Sequence, residues 1–373
     1  MHFSVVMVAH GAWHWTRRAL VALHEHTPES HEVILVDNAS TDGTAERLAA
    51  DFPEVRVIAN TANVGFGPAS NQGVDAATSP VIVLLNTDAL VLPGWAPPLL
   101  TALAQKDVVG AAPMLLHLDD RLQEAGALLA RDGTVAVYGD GGDIDDPAYR
   151  FPRRIDYASA ACLAVRRDAF LAVGGFDARY APAYYEDADL GMAFAARGGR
   201  VVYVPGSRVQ HARYGSGSPE EAHELSERNR RRFAERWAHE LLTRPPSLAE
   251  PSMPLVIAAR DAIATPRVLV AGGPRSAAGT IAIQVLQRRT SARVTLLVDD
   301  FADADAWLSQ GVEVAAPVDL AAWLADRPGF YDLVITGDGA DSDVLTAGQL
   351  QATLLTGLPA VEALDDALAG GGV

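Results

Sequence analysis

Val81-Ile-Val-Leu-Leu-Asn-Thr-Asp88 sets a run of five apolar residues against a polar end. Near-continuous apolarity over a short β-branched run is the pattern of a strand whose sheet is covered on both faces. Phe3 to Ala9, Glu32 to Val36 and Val55 to Ala59 repeat it, with helix-like segments between them. The alternation predicts a mostly parallel α/β sheet. Such sheets bind ligands in the loops beyond the carboxyl ends of their strands, and Asp37 and Asp88 both stand there. Tyr157 to Val165 reads as a later strand, and Arg200 to Val204 as another that ends in a Pro205-Gly206 turn. Gly139 to Pro152, rich in Gly, Asp and Pro, reads as a loop long enough to cover a site.

The chain has 373 residues, 49% of them hydrophobic, enough for a sizeable core and for two domains. Its 30 basic and 47 acidic residues give a formal charge of -17, which argues against general affinity for nucleic acid or an anionic membrane surface. Cys162 is the single cysteine, so no internal disulfide or cysteine metal cluster is available. Phe3 to Ala9 is too short to span a bilayer and has no basic flank or cleavage pattern. The expected location is the cytoplasm, with access to the inner face of the membrane and at most peripheral contact with it.

From Ser218 the signals are helical: Ser218 can cap, Pro219 suits the first position and Glu221 completes a capping box, with the helix running to about Leu242. Leu225, Phe233, Trp237 and Leu241 form one apolar stripe, and Arg228, Arg230, Arg231, Arg232 and Arg236 read mostly as a solvated face. The expected organisation is a domain over 1–242, a proline-dense linker over 243–266 and a smaller Rossmann-like unit over 267–373. Gly272-Gly273 does not meet the dinucleotide-binding glycine fingerprint.

Four polar clusters fall at intervals compatible with one cleft. Asp37 to Thr44 passes from a strand end into a helix, with Asp37 placed for a base or ribose and Asp42 for capping. Asn63 to Asn71 combines two amides with Gly65 and Gly67, which permit close backbone approach. Asn86-Thr-Asp88 puts a carboxylate where a divalent ion bridging a diphosphate could be held. The last, Ala183-Tyr-Tyr-Glu-Asp-Ala-Asp-Leu190, presses Glu186, Asp187 and Asp189 together at a helix start, with His211 beyond it. Crowding raises such pKa values while a helix N-terminus lowers them, so one carboxylate can be poised as a base; helix capping is the structural alternative.

Taken in order, VDNASTDGT, NVGFGPASNQG, LLNTDALV, VGGFDARY, YYEDADLGMAFAARGGRVVYVP, the following His211 and NRRRFAERW resemble an inverting family-2 glycosyltransferase of the GT-A fold, close to the rhamnosyltransferase-like branch, over roughly Phe3 to Trp237. The resemblance implies transfer of a sugar from a nucleotide-diphosphate donor, UDP- or dTDP-linked, to a hydroxyl of a saccharide, lipid-linked or natural-product acceptor. It implies that Asp37 contacts the nucleoside, with Asn63, Gly65, Asn71 and Asn86 also on the donor side. Asp88 takes the metal-binding position of the D-x-D motif, whose first position is here the neutral Asn86. His211 becomes the further ligand of a manganese or magnesium ion. Asp187 becomes the general base, with Glu186 and Asp189 orienting acceptor hydroxyls or tuning it. Tyr184, Tyr185 and Trp95 are candidate sugar-stacking rings.

Two rival classes are weighed against this reading. A sugar nucleotidyltransferase needs a glycine-rich N-terminal loop with a phosphate-binding lysine, whereas this chain has Gly11 alone there and Lys106 as its one lysine. A non-catalytic carbohydrate-binding or scaffold subunit fits the Asn86 departure but not the joint presence of Asp88, Asp187 and His211. Residues 267–373 weakly resemble the first half of a GT-B enzyme, and are expected to dock an acceptor, a protein partner or a second copy of the chain.

Overall fold

The computed structural model describes residues 2–145, 149, 150, 152–213, 219–242 and 244, then 255–257, 267–272, 275–288, 292–299, 301, 304–308, 310, 312–316, 320–325, 331, 333–337, 340, 345 and 353–356. Most of the expected linker, and the Ser218 cap, lie outside the described residues. The chain divides into two compact units: residues 1–128, 135–152 and 156–237 form one, and 129–134, 153–155 and 238–373 the other.

In chain order the elements as far as Leu241 are β1 (Phe3–Ala9), α1 (Trp13–His26), β2 (His31–Asp37), α2 (Thr44–Asp51), β3 (Arg56–Ala59), α3 (Phe66–Ala76), β4 (Val81–Leu85), β5 (Ala89–Val91), α4 (Ala96–Leu103), β6 (Val108–Leu116), β7 (Leu122–Glu124), β8 (Ala127–Leu129), β9 (Val135–Val137), β10 (Arg153–Ile155), β11 (Cys162–Arg166), α5 (Arg167–Ala172), α6 (Glu186–Ala196), β12 (Arg200–His211), α7 (Pro219–Arg236) and α8 (Ala238–Leu241). The main sheet runs β12-β6-β11-β4-β1-β2-β3, with β5 beside β12 and β7 beside β6. β1 is parallel to β2 and β4, β2 to β3, and β6 to β12, while β11 lies antiparallel between β4 and β6. The sheet is therefore mixed but mostly parallel, as its uninterrupted apolar strands predict. Phe3, Val5, Met7, Val83 and Leu85 pack with Leu20, Leu23, Leu99 and Leu103 in one buried cluster. Trp95 belongs to that core: it is fully buried and its indole N–H donates to Thr27 at 3.0 Å, which removes it from the candidate stacking rings.

Two strands differ from the sequence expectation in ways that build the site. The run from Tyr157 pairs as a strand only from Cys162, because Ser159 and Ala160 turn their N–H groups to carboxylates instead of a neighbouring strand. The strand starting at Arg200 does not stop at Pro205-Gly206. A register shift between Val204 and Arg208 absorbs those residues as an irregularity, and β12 continues to His211. Its last residues pair antiparallel with β5, so that His211 lies opposite Ala89, the neighbour of Asp88.

The arginines of α7 stay largely exposed, as the solvated reading expects, but three of them also make specific contacts. Arg228, Arg232 and Arg236 recur at every fourth residue, one helical face. Arg228 donates to the Ala181 carbonyl at 2.9 Å, Arg232 to that of Arg179 at 2.7 Å, and Arg236 meets Asp177 at 2.6 Å and Asp189 at 3.2 Å. Fully buried Asn229 donates its amide to the carbonyls of Tyr180, Ala183 and Tyr184 at 2.7 to 2.9 Å. The helix therefore grips the chain segment that leads into α6.

The second unit contains β13 (Leu255–Ile257), β14 (Arg267–Ala271), α9 (Arg275–Arg288), β15 (Arg293–Leu297), β16 (Glu313–Ala316), β17 (Leu333–Thr336) and β18 (Thr353–Thr356). Its sheet runs β13-β16-β15-β14-β17-β18, parallel except for β13 at one edge. This is the doubly wound order expected of a Rossmann-like unit. The expected linker is not featureless, since Leu255–Ile257 pairs with β16.

Asn229→Ala leaves three carbonyls without their donor and is expected to cost about 1–3 kcal/mol of stability, read as a lowered urea midpoint. A midpoint equal to that of the wild-type protein would show that the grip contributes nothing.

Candidate functional site

Tyr184 and Tyr185 both adopt left-handed backbone, φ 76° and 75°, immediately before α6. Such angles are costly for residues with side chains, and here they turn the chain so that Glu186 and Asp187 open the helix. Helix α6 then lies hard against the segment before β11. A Cβ at Gly191 would stand 2.6 Å from the Asp156 carbonyl and from Tyr157 Cβ, so only glycine permits that approach.

The Ser159-Ala160-Ala161 segment joins three parts of the site. Ser159 N–H donates to Glu124 Oε1 at 3.1 Å, Ala160 N–H to Asp187 Oδ2 at 3.4 Å, and the Ala161 carbonyl accepts from Asn86 N–H at 2.9 Å. Successive peptide groups thus set a carboxylate from β7 beside one from α6, next to the loop that carries Asp88. Burial pushes the Asp187 carboxyl up to about 6, against the lowering effect of the Ala188 and Ala160 N–H groups. Burial raises Glu124 to about 7, with the Asp187 charge adding to it and His211 and Arg213 opposing. Glu186 is held well above the ordinary carboxyl range, by burial first and by Asp187 second.

Asp189 has a different fate. Its Oδ1 accepts from Tyr180 O–H at 2.9 Å and Trp237 N–H at 2.8 Å, and its Oδ2 faces Arg236 at 3.2 Å. Both oxygens serve to anchor α7, which leaves them engaged by the protein rather than by an acceptor hydroxyl. Tyr185 is buried against Phe233, with ring centroids 5.4 Å apart, and only Tyr184, 38% exposed, keeps a surface for a sugar ring.

At the other side of the Asn86–Asp88 loop, His211 Nε2 lies 3.3 Å from Asp88 Oδ1, both side chains nearly buried. Gln123 holds the far side of the imidazole, with Oε1 2.7 Å from Nδ1. Two ligand atoms at ~2.1 Å from one ion and at right angles to each other stand about 3 Å apart, so the Asp88–His211 spacing suits a small divalent cation. An imidazole nitrogen with a carboxylate oxygen is a donor set for manganese or magnesium.

Asp37 lies on the same sheet edge, beside Ala9 of β1, and accepts from Ser40 N–H at 3.0 Å. Asp42 lies beside it in the loop, taking Trp13 N–H at the start of α1 together with the N–H and O–H of Thr44. The second polar cluster is used differently from its sequence reading. The Asn63 amide oxygen accepts from Gly65 N–H and from the Asn38 amide, and Asn71 makes a two-way amide pair with the backbone of Phe176 at 2.8 and 2.9 Å. Gly65, φ 92°, admits the chain itself: a Cβ there would meet Ala181 and Pro182 at 3.1 to 3.2 Å, and Phe66 N–H donates to the Pro182 carbonyl. Gly65 and Asn71 thereby brace the segment ahead of α6, while the exposed Asn63 ties Asn38 to the Gly65 turn.

Residues 4–117 match the family described as Glycosyl transferase family 2. Over 230 residues the chain is 34% identical to the N-acetylglucosaminyl-diphospho-decaprenol L-rhamnosyltransferase of Mycobacterium tuberculosis, a match that spans 56% of this chain and 75% of that protein. The chain belongs to glycosyl transferase family 2. The family-2 glycosyltransferase is also 28% identical over 197 residues to the O-antigen biosynthesis protein RfbC of Myxococcus xanthus, covering 48% of this chain and 15% of that one. Among solved structures, GalNAc-T7 with UDP, GalNAc and Mn2+ has a TM-score of 0.48 at 20% identity, over 56% of this chain and 43% of that chain. The main unit of the glycosyltransferase has the mixed, mostly parallel α/β sheet expected of its motifs.

Sequence reading of this glycosyltransferase missed Gln123, Glu124 and Asn229. In the stretch Leu122-Gln-Glu-Ala125 the pair looks like ordinary surface polarity. The available signal was a Glu inside an apolar β run, since an unpaired carboxyl is seldom buried without a task. An open hollow lined by Asp177, Arg179, Arg232, Glu235 and Arg236 shares no residue with the carboxylate and Asp88–His211 groups except through the Asp189 anchor.

The raised Asp187 pKa carries a stability consequence with a definite sign. The folded chain holds a proton on this group between about pH 4 and pH 6 that the unfolded chain has released, so the folded state loses stability as pH rises through that window. Asp187→Asn is therefore expected to be more stable than wild type at pH 7.5 by about 1–3 kcal/mol, at ~1.4 kcal/mol per pKa unit, with the difference vanishing near pH 4. Urea titrations at the two pH values check both the size and the direction.

Proposed function

We propose that this glycosyltransferase moves a hexosyl or deoxyhexosyl group from a UDP- or dTDP-linked donor to a hydroxyl of a lipid-linked saccharide, in one displacement that inverts the anomeric centre. The observation that carries the reading is Asp187, a partly buried carboxylate pushed up to about 6 and bonded by the Ala160 N–H beside the Asp88 loop. A base of that pKa is ionised at neutral pH and takes a proton from a hydroxyl as its oxygen attacks. The rhamnosyl group and the polyprenyl-diphosphate acceptor in the name of the mycobacterial relative support a deoxyhexose donor and a lipid-linked acceptor.

In this mechanism Asp37 binds the nucleoside from the sheet edge and Asn86 hydrogen-bonds the ribose or sugar. Asp88 and His211 would hold a manganese or magnesium ion, which would supply charge neutralisation to the leaving diphosphate. Asp187 receives the acceptor proton. Glu124 and Glu186, each pushed toward the protonated form, keep the base from sharing its pocket with two full charges and offer O–H groups to the acceptor. Among the described residues no helix is long and apolar enough to cross a membrane.

Asp187→Asn is expected to lower kcat by roughly 10²- to 10⁴-fold with donor affinity nearly unchanged. Transfer from dTDP-rhamnose and UDP-sugars to a polyprenyl-diphosphate saccharide, followed by NMR of the product's anomeric configuration, tests both the activity and its stereochemistry. Retention of configuration, or transfer at the wild-type rate by Asp187→Asn, would falsify the assignment of Asp187 as the base. Asp88→Ala and His211→Ala are expected to abolish the stimulation of donor hydrolysis by manganese.

A further inference from the structure

β7 carries an extra residue. Glu124 pairs with Leu115 of β6 and Leu122 with Leu116, so Gln123 is the bulged position between them. The side chain at this position makes three polar contacts. Oε1 lies 2.7 Å from His211 Nδ1, while Nε2 lies 2.9 Å from the His211 carbonyl oxygen and 3.2 Å from His117 Nδ1.

The two ends of an amide look alike in shape, but their chemistry here allows a single orientation. A carbonyl oxygen only accepts, so the Gln123 atom facing the His211 carbonyl is the NH2 group. The opposite end is then the amide oxygen, which also only accepts. His211 Nδ1 must carry the hydrogen between them. A neutral imidazole has one N–H, so Nε2 keeps a lone pair, and Nε2 is the atom 3.3 Å from Asp88 Oδ1.

The far end of the network agrees. The second hydrogen of the Gln123 NH2 group points at His117 Nδ1, which must accept, and His117 Nε2 is then the N–H that donates to Asp140 Oδ1 at 2.8 Å. Asp140 is held in turn by Arg213 at 3.2 Å. Both histidines thereby receive fixed and opposite tautomers. At the Asp88 end, two acceptors face each other across 3.3 Å, an arrangement that a cation or a proton between them reconciles.

We infer that Gln123 is a positioning residue that clasps His211 by ring and carbonyl at once, fixes it in the Nδ1–H form, and turns the Nε2 lone pair toward Asp88 as a ligand for a divalent cation. The inference rests on the metal role proposed above for Asp88 and His211. Groups that hold the outer nitrogen of a metal-binding histidine set its tautomer and orientation, and their loss weakens metal binding by roughly 10- to 100-fold.

Two measurements on the full chain test it. Nitrogen-15 NMR of the metal-free wild-type protein at pH 8 reads the His211 tautomer directly and needs no substitution; His211→Gln assigns the signal. The Nδ1–H form is expected, and an Nε2–H form overturns the inference. Manganese affinity with UDP present, measured by electron paramagnetic resonance, is expected to fall roughly 10- to 100-fold in Gln123→Leu. Gln123→Glu, which still accepts from Nδ1–H, is expected to hold the ion more tightly than Gln123→Leu. Wild-type affinity in Gln123→Leu, with affinity lost in His211→Ala, overturns the role of Gln123 while sparing the metal site. Undiminished affinity in His211→Ala overturns the metal site itself.

Discussion

The site depends on the grip of α7 on the segment that enters α6. Tyr184 and Tyr185 occupy left-handed backbone at a cost of about 1–3 kcal/mol each, a conformation that persists only when its surroundings over-determine it. Those surroundings are the Asn229 amide on three carbonyls, Arg228 and Arg232 on two more, and the Gly65–Phe66 backbone packed against Pro182. Released from them, the chain would relax to ordinary angles and α6 would begin elsewhere. Asp189 closes the same device by binding Trp237 and Arg236, so one member of the acidic cluster holds the others in place.

What the grip delivers is a set of carboxyl groups in a place where carboxylates are unstable. Asp187, Glu186 and Glu124 are all shifted upward chiefly by burial, and the charge of Asp187 adds to the shift of its two neighbours. Backbone N–H groups of Ser159 on Glu124, and of Ala160 and Ala188 on Asp187, offset only part of that cost. Folding free energy is thereby spent on carboxyl groups of raised basicity, a pattern that active sites share.

The Asp88–His211 corner is built by a different route, through strand register. β12 passes an irregularity at Pro205 to Ser207, keeps its pairing with β6 as far as Gln210 and takes the short β5 as a second neighbour, which sets His211 opposite Ala89. A regular strand with the predicted stop would leave the histidine in a loop. The Gln123 bulge in β7 meets the same histidine from the other side. Two local departures from ideal pairing therefore converge on one imidazole, where bulges serve to re-aim side chains.

The sequence by itself determined the mixed α/β sheet, the second doubly wound unit and the family, because apolar periodicity and ordered motifs are local properties of the chain. It also marked Asp37, Asp88, Asp187 and His211 as the groups worth locating, since polar residues at strand ends and helix starts announce themselves by contrast with their neighbours. Tertiary structure alone decided how each polar group is used. Asn63, Gly65 and Asn71 read as ligand contacts, yet they brace protein backbone, and Asp189 anchors a helix. The arginines of α7 read mostly as a solvated face and stay largely exposed, and three of them also bind the segment before α6. Gln123 and Glu124, which no sequence reading singled out, are buried. The reason is physical: a side chain's type states which hydrogen bonds and charges it can offer, but its partner lies tens of residues away along the chain, and only folding brings the two within 3 Å.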